Sequence, residues 1–164
     1  MPRATETWNE ASPDGRFGAA ERIMPDPLYI WNTDLDTARL VVRTLKATGD
    51  DTYVSYDLPR LIAQIEWSPD SRYLVMTTVS AGGHSPWHFN SYVYSVTDKS
   101  LRYVDDVIGL VEAPDLKFVG GHTLVIKIRG TNEVEQPTSI TVDLSKLVRQ
   151  MKKLGNKHEG SLDN

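Results

Sequence analysis

One short turn is written twice in this chain. "ASPDGRF" (11–17) and "WSPDSRY" (67–73) share serine, proline, aspartate and arginine in one order, and each ends on an aromatic residue. Internal repetition constrains a fold strongly, because each copy must be one supersecondary unit that stacks on its neighbours. The turn has a mechanism. Proline fixes φ near the value its second position needs. Aspartate accepts hydrogen bonds from nearby backbone amides. Gly15 or Ser71 then takes the position where φ can become positive, glycine at less cost. Trp67 and Tyr73 flank the second turn and are expected to pack on the apolar faces of stacked sheets.

Around these turns the chain reads as strands. "LYIWNT" (28–33), "RLVVRTL" (39–45), "LIAQIEW" (61–67), "RYLVMTTV" (72–79), "SYVYSV" (91–96), "LRYVDDV" (101–107), "TLVIKI" (123–128) and "SITVDL" (139–144) are rich in β-branched and aromatic residues. Clusters of Gly, Pro, Asp, Asn and Ser separate them. "YLVM" is continuously apolar and suits a central strand. The repeat extends beyond the turn. "LYIWNTDLDTARLVV" (28–42) is similar to "YVYSVTDKSLRYVDD" (92–106), each reading strand, turn, strand. A weaker third copy, "LKFVGGHTLVIKI" (116–128), has Phe118 for Trp67 and Gly120–Gly121 for Pro69–Asp70, and "TSITVDL" (138–144) then matches "SYVYSV".

The helical pattern lies near the end. Leu144, Leu147, Val148, Met151 and Leu154 recur at spacings of three and four and form one apolar stripe. Asp143 can cap its start and Gly155 can end it. This amphipathic helix is expected to dock on a sheet edge, which would otherwise invite association. Residues 1–155 read as a single domain and 156–164 as a flexible tail.

"WSPDSRYL" and "SPDGRF", each leading into a strand and an "IWNTD" or "YSVTD" hairpin, resemble the WD40-like Pro-Asp repeats of TolB-type β-propellers, over about residues 8–144. The resemblance implies an all-β fold of antiparallel propeller-like blades. It also implies a scaffold that binds proteins, peptides or sugars on its loop faces, with no catalytic site in the blades. Propellers close with about 4–8 blades, and three repeats do not make such a ring. Three closures are open: part of a longer propeller, two chains forming a six-bladed homodimer, or three sheets collapsed into an open structure. A β-sandwich fits strands with frequent turns too.

Charge and composition narrow the functions. A net charge of −4 provides no strong basic field, which argues against nonspecific nucleic-acid binding. The absence of cysteine excludes disulfides, thiolate catalysis, zinc fingers and iron–sulfur clusters. No apolar run reaches the length of a membrane span. The first residues lack a signal-peptide core, so the chain is expected to be cytoplasmic, or periplasmic or secreted if a signal has been removed.

One connector draws attention. "SAGGHSPWHFNS" (80–91) holds two glycines, two histidines, a proline and a tryptophan. With "ERIMPDP" (21–27) and "RGTNEVEQP" (129–137) it would form one loop face, where a rigid scaffold usually carries binding. His84, Ser85, Trp87, His88 and Phe89 are the candidate contact residues, with Trp87 and Phe89 as aromatic anchors or Trp87 as a plug over the core. His84 and His88 could hold a metal with His122, Glu133 or Glu135, although Pro86 and the glycines break the helix that would align them. A Ser85–His88 pair with a distant aspartate would make a hydrolase, or an accessory domain of one, but no GxSxG elbow is present. The acidic "NTDLDT" (32–37) lacks the later ligands of a calcium loop and reads as a hairpin turn. "GDD" (49–51) and "VDD" (104–106) read as solvated turns. The leading expectation is a non-enzymatic module with no cofactor, binding a protein or peptide through the 80–91 loop.

Overall fold

The computed structural model describes residues 6–24, 37–49, 51–79, 89–109, 111–128, 138–155 and 157–161. The described elements are all-β with short helices. In chain order they are β1 (Glu6–Ala11), β2 (Phe17–Met24), β3 (Thr37–Thr44), β4 (Thr52–Leu58), β5 (Ile62–Trp67), β6 (Tyr73–Thr78), β7 (Asn90–Ser95), β8 (Ser100–Tyr103), α1 (Asp105–Ile108), β9 (Val111–Phe118), β10 (Thr123–Ile128), β11 (Thr138–Asp143), α2 (Leu144–Gln150) and β12 (Lys157–Ser161). They form three antiparallel sheets, ordered β1-β2-β3-β4-β12, β5-β6-β7-β8 and β11-β10-β9. No closed barrel or propeller ring is formed among the described residues. The chain divides into two compact units, residues 1–61 with 155–164, and residues 62–154.

The repeated turn is built the same way in both units. Ser12 N–H donates to Phe17 O at 2.9 Å, and Ser68 N–H to Tyr73 O at 2.8 Å. Each serine hydroxyl accepts from the amide of that aromatic residue at 3.0 Å. Each also donates to the turn aspartate, at 2.8 Å to Asp14 and 2.6 Å to Asp70. The same carboxylate oxygen accepts from Arg16 N–H or Arg72 N–H. Gly15 has φ +73° and Ser71 φ +61°, so the positive-φ position exists in both copies, and the second holds it without glycine. Arg16 lies over the Phe17 ring and Arg72 over the Tyr73 ring, at 5.2 and 5.6 Å from the centroids.

The longer repeat is in a different register from the one the sequence suggests. Phe17 pairs with Thr44 just as Tyr73 pairs with Ser95. β3 is therefore the counterpart of β7, and residues 39–45 correspond to 91–96 and not to 101–107. Hairpin pairing, not side-chain likeness, sets the correspondence.

In the first unit apolar residues are buried on both faces of the sheet, Ala20 and Val41 on one and a longer set on the other. Ala19, Ala38, Leu40, Val42, Val54, Tyr56 and Leu58 alternate along β2, β3 and β4 and are buried. In the second unit β6 is a central strand with both faces buried, as its continuous apolar run requires. Tyr73 and Val75 belong to a cluster with Val93, Val111, Leu116, Leu124, Ile126, Leu144 and Leu147, while Leu74 and Met76 are buried on the opposite side. Trp67 is 6% exposed.

The C-terminal region departs from expectation. Asp143 caps α2 as the sequence suggests, accepting from Ser145 N–H at 2.9 Å and Lys146 N–H at 3.4 Å. The helix stops at Gln150, well before Gly155, and Met151 is extended. The edge of β8 takes the chain there. Leu154 N–H donates to Leu101 O at 2.8 Å, Arg102 and Lys153 form an isolated bridge, and Arg102 Nε donates to Met151 O at 3.4 Å. An extended segment satisfies the β8 edge directly, where the helix was expected to cover one. The stretch read as a flexible tail from 156 instead supplies β12, which pairs with β4 over Lys157–Ser161.

Candidate functional site

The 80–91 loop joins β6 to β7, two adjacent strands of the second sheet. His84, Ser85, Trp87 and His88 lie outside the described residues, as do Glu133, Glu135 and "NTDLD" at 32–36. Phe89 is described. Its N–H donates to Val111 O at 2.9 Å, and its half-buried ring packs against the core cluster of the second unit. The far end of the loop is therefore fastened to β9.

Two residues later a second fastening follows. Ser91 N–H donates to Asp105 Oδ1 at 2.8 Å, and Tyr103 Oη donates to Asp105 Oδ2 at 3.1 Å. Asp105 is 6% exposed, so "VDD" at 104–106 is not a solvated turn. A buried carboxylate is tolerated where donors surround it. Its charge reaches Tyr92. Burial first, and the Asp105 charge second, push the Tyr92 phenol up to about 12. The Tyr92 and Tyr103 rings lie 5.4 Å apart, tilted.

Three hydroxyls complete the loop base. Thr77 and Thr78 end β6 and Ser91 is the second residue of β7, with Thr77 directly opposite Ser91. All three are fully buried, and Thr77 Oγ1, Thr78 Oγ1 and Ser91 Oγ have no hydrogen-bond partner among the described residues. Buried hydroxyls without partners cost free energy that an apolar side chain of the same size would not. The site thus brings together a rigid strand pair, a buried carboxylate and three hydroxyls at the root of the connector that the sequence singles out. Sequence reasoning missed Asp105, because its Ser91 partner is 14 residues away and Tyr103 two residues before it does not by itself mark a buried carboxylate.

The other polar cluster lies between the second and third sheets of the same unit. His122 Nδ1 is 3.0 Å from Asp70 Oδ2, and its Nε2 is 3.5 Å from Asp143 Oδ1. Asp70 N–H donates to Gly121 O at 3.1 Å. Asp143 is held below the usual carboxylate range by the Ser145 hydroxyl first and, among its other partners, the His122 charge. His122 is thus a staple joining the repeated turn, the β9–β10 turn and the α2 cap. His158, in the first unit, faces Asp57 at 3.3 Å. Both histidines are engaged with carboxylates, which orients an imidazole. Among the described residues no group of three His, Asp or Glu side chains is arranged to hold a metal ion. No described helix is long and apolar enough to cross a membrane. No family model, curated protein or solved structure matches the chain.

Proposed function

We propose that the chain is a non-enzymatic binding or assembly module of WD40-like, TolB-type character, with blade-like sheets as its scaffold. A protein or peptide partner is contacted through the 80–91 loop by His84, Ser85, Trp87, His88 and Phe89. The observation that carries this reading is the loop base. The loop leaves one central strand, returns to the next, and is pinned on return by Phe89 to Val111 and by Ser91 to Asp105. A connector fixed at its root has less entropy to lose when a partner orders it. The two identically bonded Ser-Pro-Asp turns, each opening a four-strand meander, support the blade-like scaffold.

Selection from a displayed peptide library against the purified chain tests the reading. Enriched peptides should bind the wild type and lose binding to Trp87→Ala and to His88→Ala, with the thermal midpoint of both variants retained. Peptides that bind both variants as well as the wild type, or a selection that enriches none, would refute it.

A further inference from the structure

The outer face of α2 carries more positive charge than the fold requires. Residues 144–155 hold Lys146, Arg149, Lys152 and Lys153 and no acid, in a chain whose net charge is −4. The apolar side of the helix is used in the core. Leu144 and Leu147 are buried, and Val148 and Met151 pack against the same cluster. The four cations are left exposed. Lys153 Nζ is 3.4 Å from Asp98, a carboxylate that Arg102 already engages at 2.8 Å. Lys146, Arg149 and Lys152 form no ion pair among the described residues.

Helix stability does not account for this placement. A cation in the last turn suits the helix dipole, which explains Arg149. Lys146 stands in the first turn, where the dipole favours an acid, and that turn holds none. Like charges three residues apart on a helix also repel, so Lys146 and Arg149 weaken α2 by their proximity. Lys152 and Lys153 follow in an extended segment fixed to β8. Leu154 N–H donates to Leu101 O at 2.8 Å, and Arg102 and Lys153 form a bridge. The backbone beneath these lysines is therefore held before a partner arrives, which reduces the entropy lost on binding.

The surroundings select the class of partner. With its apolar stripe in the core, α2 has nothing to insert into a bilayer. No aromatic residue stands among residues 144–155 to stack on a base. A net acidic chain also repels a long polyphosphate. A short run of carboxylates fits, because it supplies the countercharge that the chain itself does not and accepts charge-assisted hydrogen bonds from guanidinium and ammonium groups.

We infer that Lys146, Arg149, Lys152 and Lys153 form a docking surface for an acidic peptide segment of a partner protein. The inference is separate from the 80–91 loop and does not rest on it.

The probe is a fluorescein-labelled hexaglutamate peptide, titrated with the full chain at low ionic strength and followed by anisotropy. Saturable binding that weakens as salt is added is expected. Lys146→Glu/Arg149→Glu/Lys152→Glu should weaken binding by about tenfold or more, with the thermal midpoint retained. Lys46→Glu/Lys117→Glu/Lys127→Glu makes the same change in net charge at residues exposed on other elements. That variant should stay within about twofold of the wild type. Lys146→Gln/Arg149→Gln/Lys152→Gln removes the charge without reversing it. It should weaken binding in the same direction and takes the place of the reversed variant if that one unfolds. Absence of saturable binding would overturn the inference. So would equal losses from the patch and control variants, or tighter binding of a single-stranded oligonucleotide of equal charge than of the peptide.

Discussion

Replacing Ser68 by alanine tests the repeated turn most directly. Ser68 is fully buried, and its hydroxyl makes two bonds at once: it accepts Tyr73 N–H at 3.0 Å and donates to Asp70 at 2.6 Å. Alanine removes both and leaves the Tyr73 amide buried without an acceptor, which costs about 1–3 kcal/mol. Asp70 suffers less. It keeps Arg72 N–H and His122, and its side chain is 24% exposed, so water can replace the lost donor. That loss adds roughly 0.5–1 kcal/mol. The backbone bonds Ser68 N–H to Tyr73 O and Ser71 N–H to Ser68 O remain. The expected total is about 1.5–4 kcal/mol, read as a lower urea midpoint at unchanged slope. Amide hydrogen exchange should quicken at Tyr73 and stay unchanged at Phe17, whose own turn is intact. Ser12→Ala should reverse that pattern. A destabilisation under about 0.5 kcal/mol, or equal quickening at both amides, would refute the claim that the hydroxyl is the centre of each turn.

Three further outcomes are expected. Trp67→Ala should cost roughly 3–5 kcal/mol in chemical denaturation, because the indole is nearly fully buried, and a near-neutral result would show that the ring is not packed. Stability should fall on acidification. Against the upward push of desolvation, hydrogen bonds from Arg16 and Ser12 lower Asp14 to about 2, and bonds from Arg102 and Ser100 hold Asp98 well below the carboxylate range. Folded values below the unfolded value of about 3.9 mean the contribution is present above that pH and is lost as pH falls through the folded values. For Asp14 the window is about pH 4 to 2, so a thermal midpoint that stays flat across it would contradict the bonding described. Asp105→Asn should lower the Tyr92 titration midpoint followed by ultraviolet absorbance, since one of its two causes is removed, while burial keeps it above the ordinary tyrosine value; an unmoved midpoint would separate Asp105 from Tyr92.

The parts of the fold legible in sequence are those fixed locally. The Ser-Pro-Asp turns carry their own bonding partners within five residues, so their type and φ could be written from the residues alone. β6 announces itself by four continuous apolar residues, and β7 and β11 by the rough alternation of apolar and polar residues in "SYVYSV" and "SITVDL". What was missed depends on distant contacts. β12 contains lysine, histidine, glutamate and glycine, poor strand formers, and is a strand because β4 has a free edge with Tyr53 opposite Gly160. The apolar stripe of the last helix continues in sequence to Leu154, yet the helix ends at Gln150 because β8 offers hydrogen bonds that an extended chain satisfies. Helical propensity over one turn is a weak force beside such pairing.

The candidate site divides along the same line. Glycines, histidines and aromatics made the 80–91 connector conspicuous, because loop composition is a local property. Its root could not be read, since Asp105, Val111 and Tyr103 reach it from later segments of the chain. A buried carboxylate beside tyrosines looks in sequence like any exposed "VDD" turn. The difference is one of surroundings: the desolvation that makes an isolated charge costly is offset at Asp105 by the Ser91 amide and the Tyr103 hydroxyl. Those donors belong to the strand that receives the loop and to its neighbour. Asp105 therefore couples the position of the loop's end to the packing of the sheet, and loss of its charge should disturb the loop root before it disturbs the turns at Ser12 or Ser68.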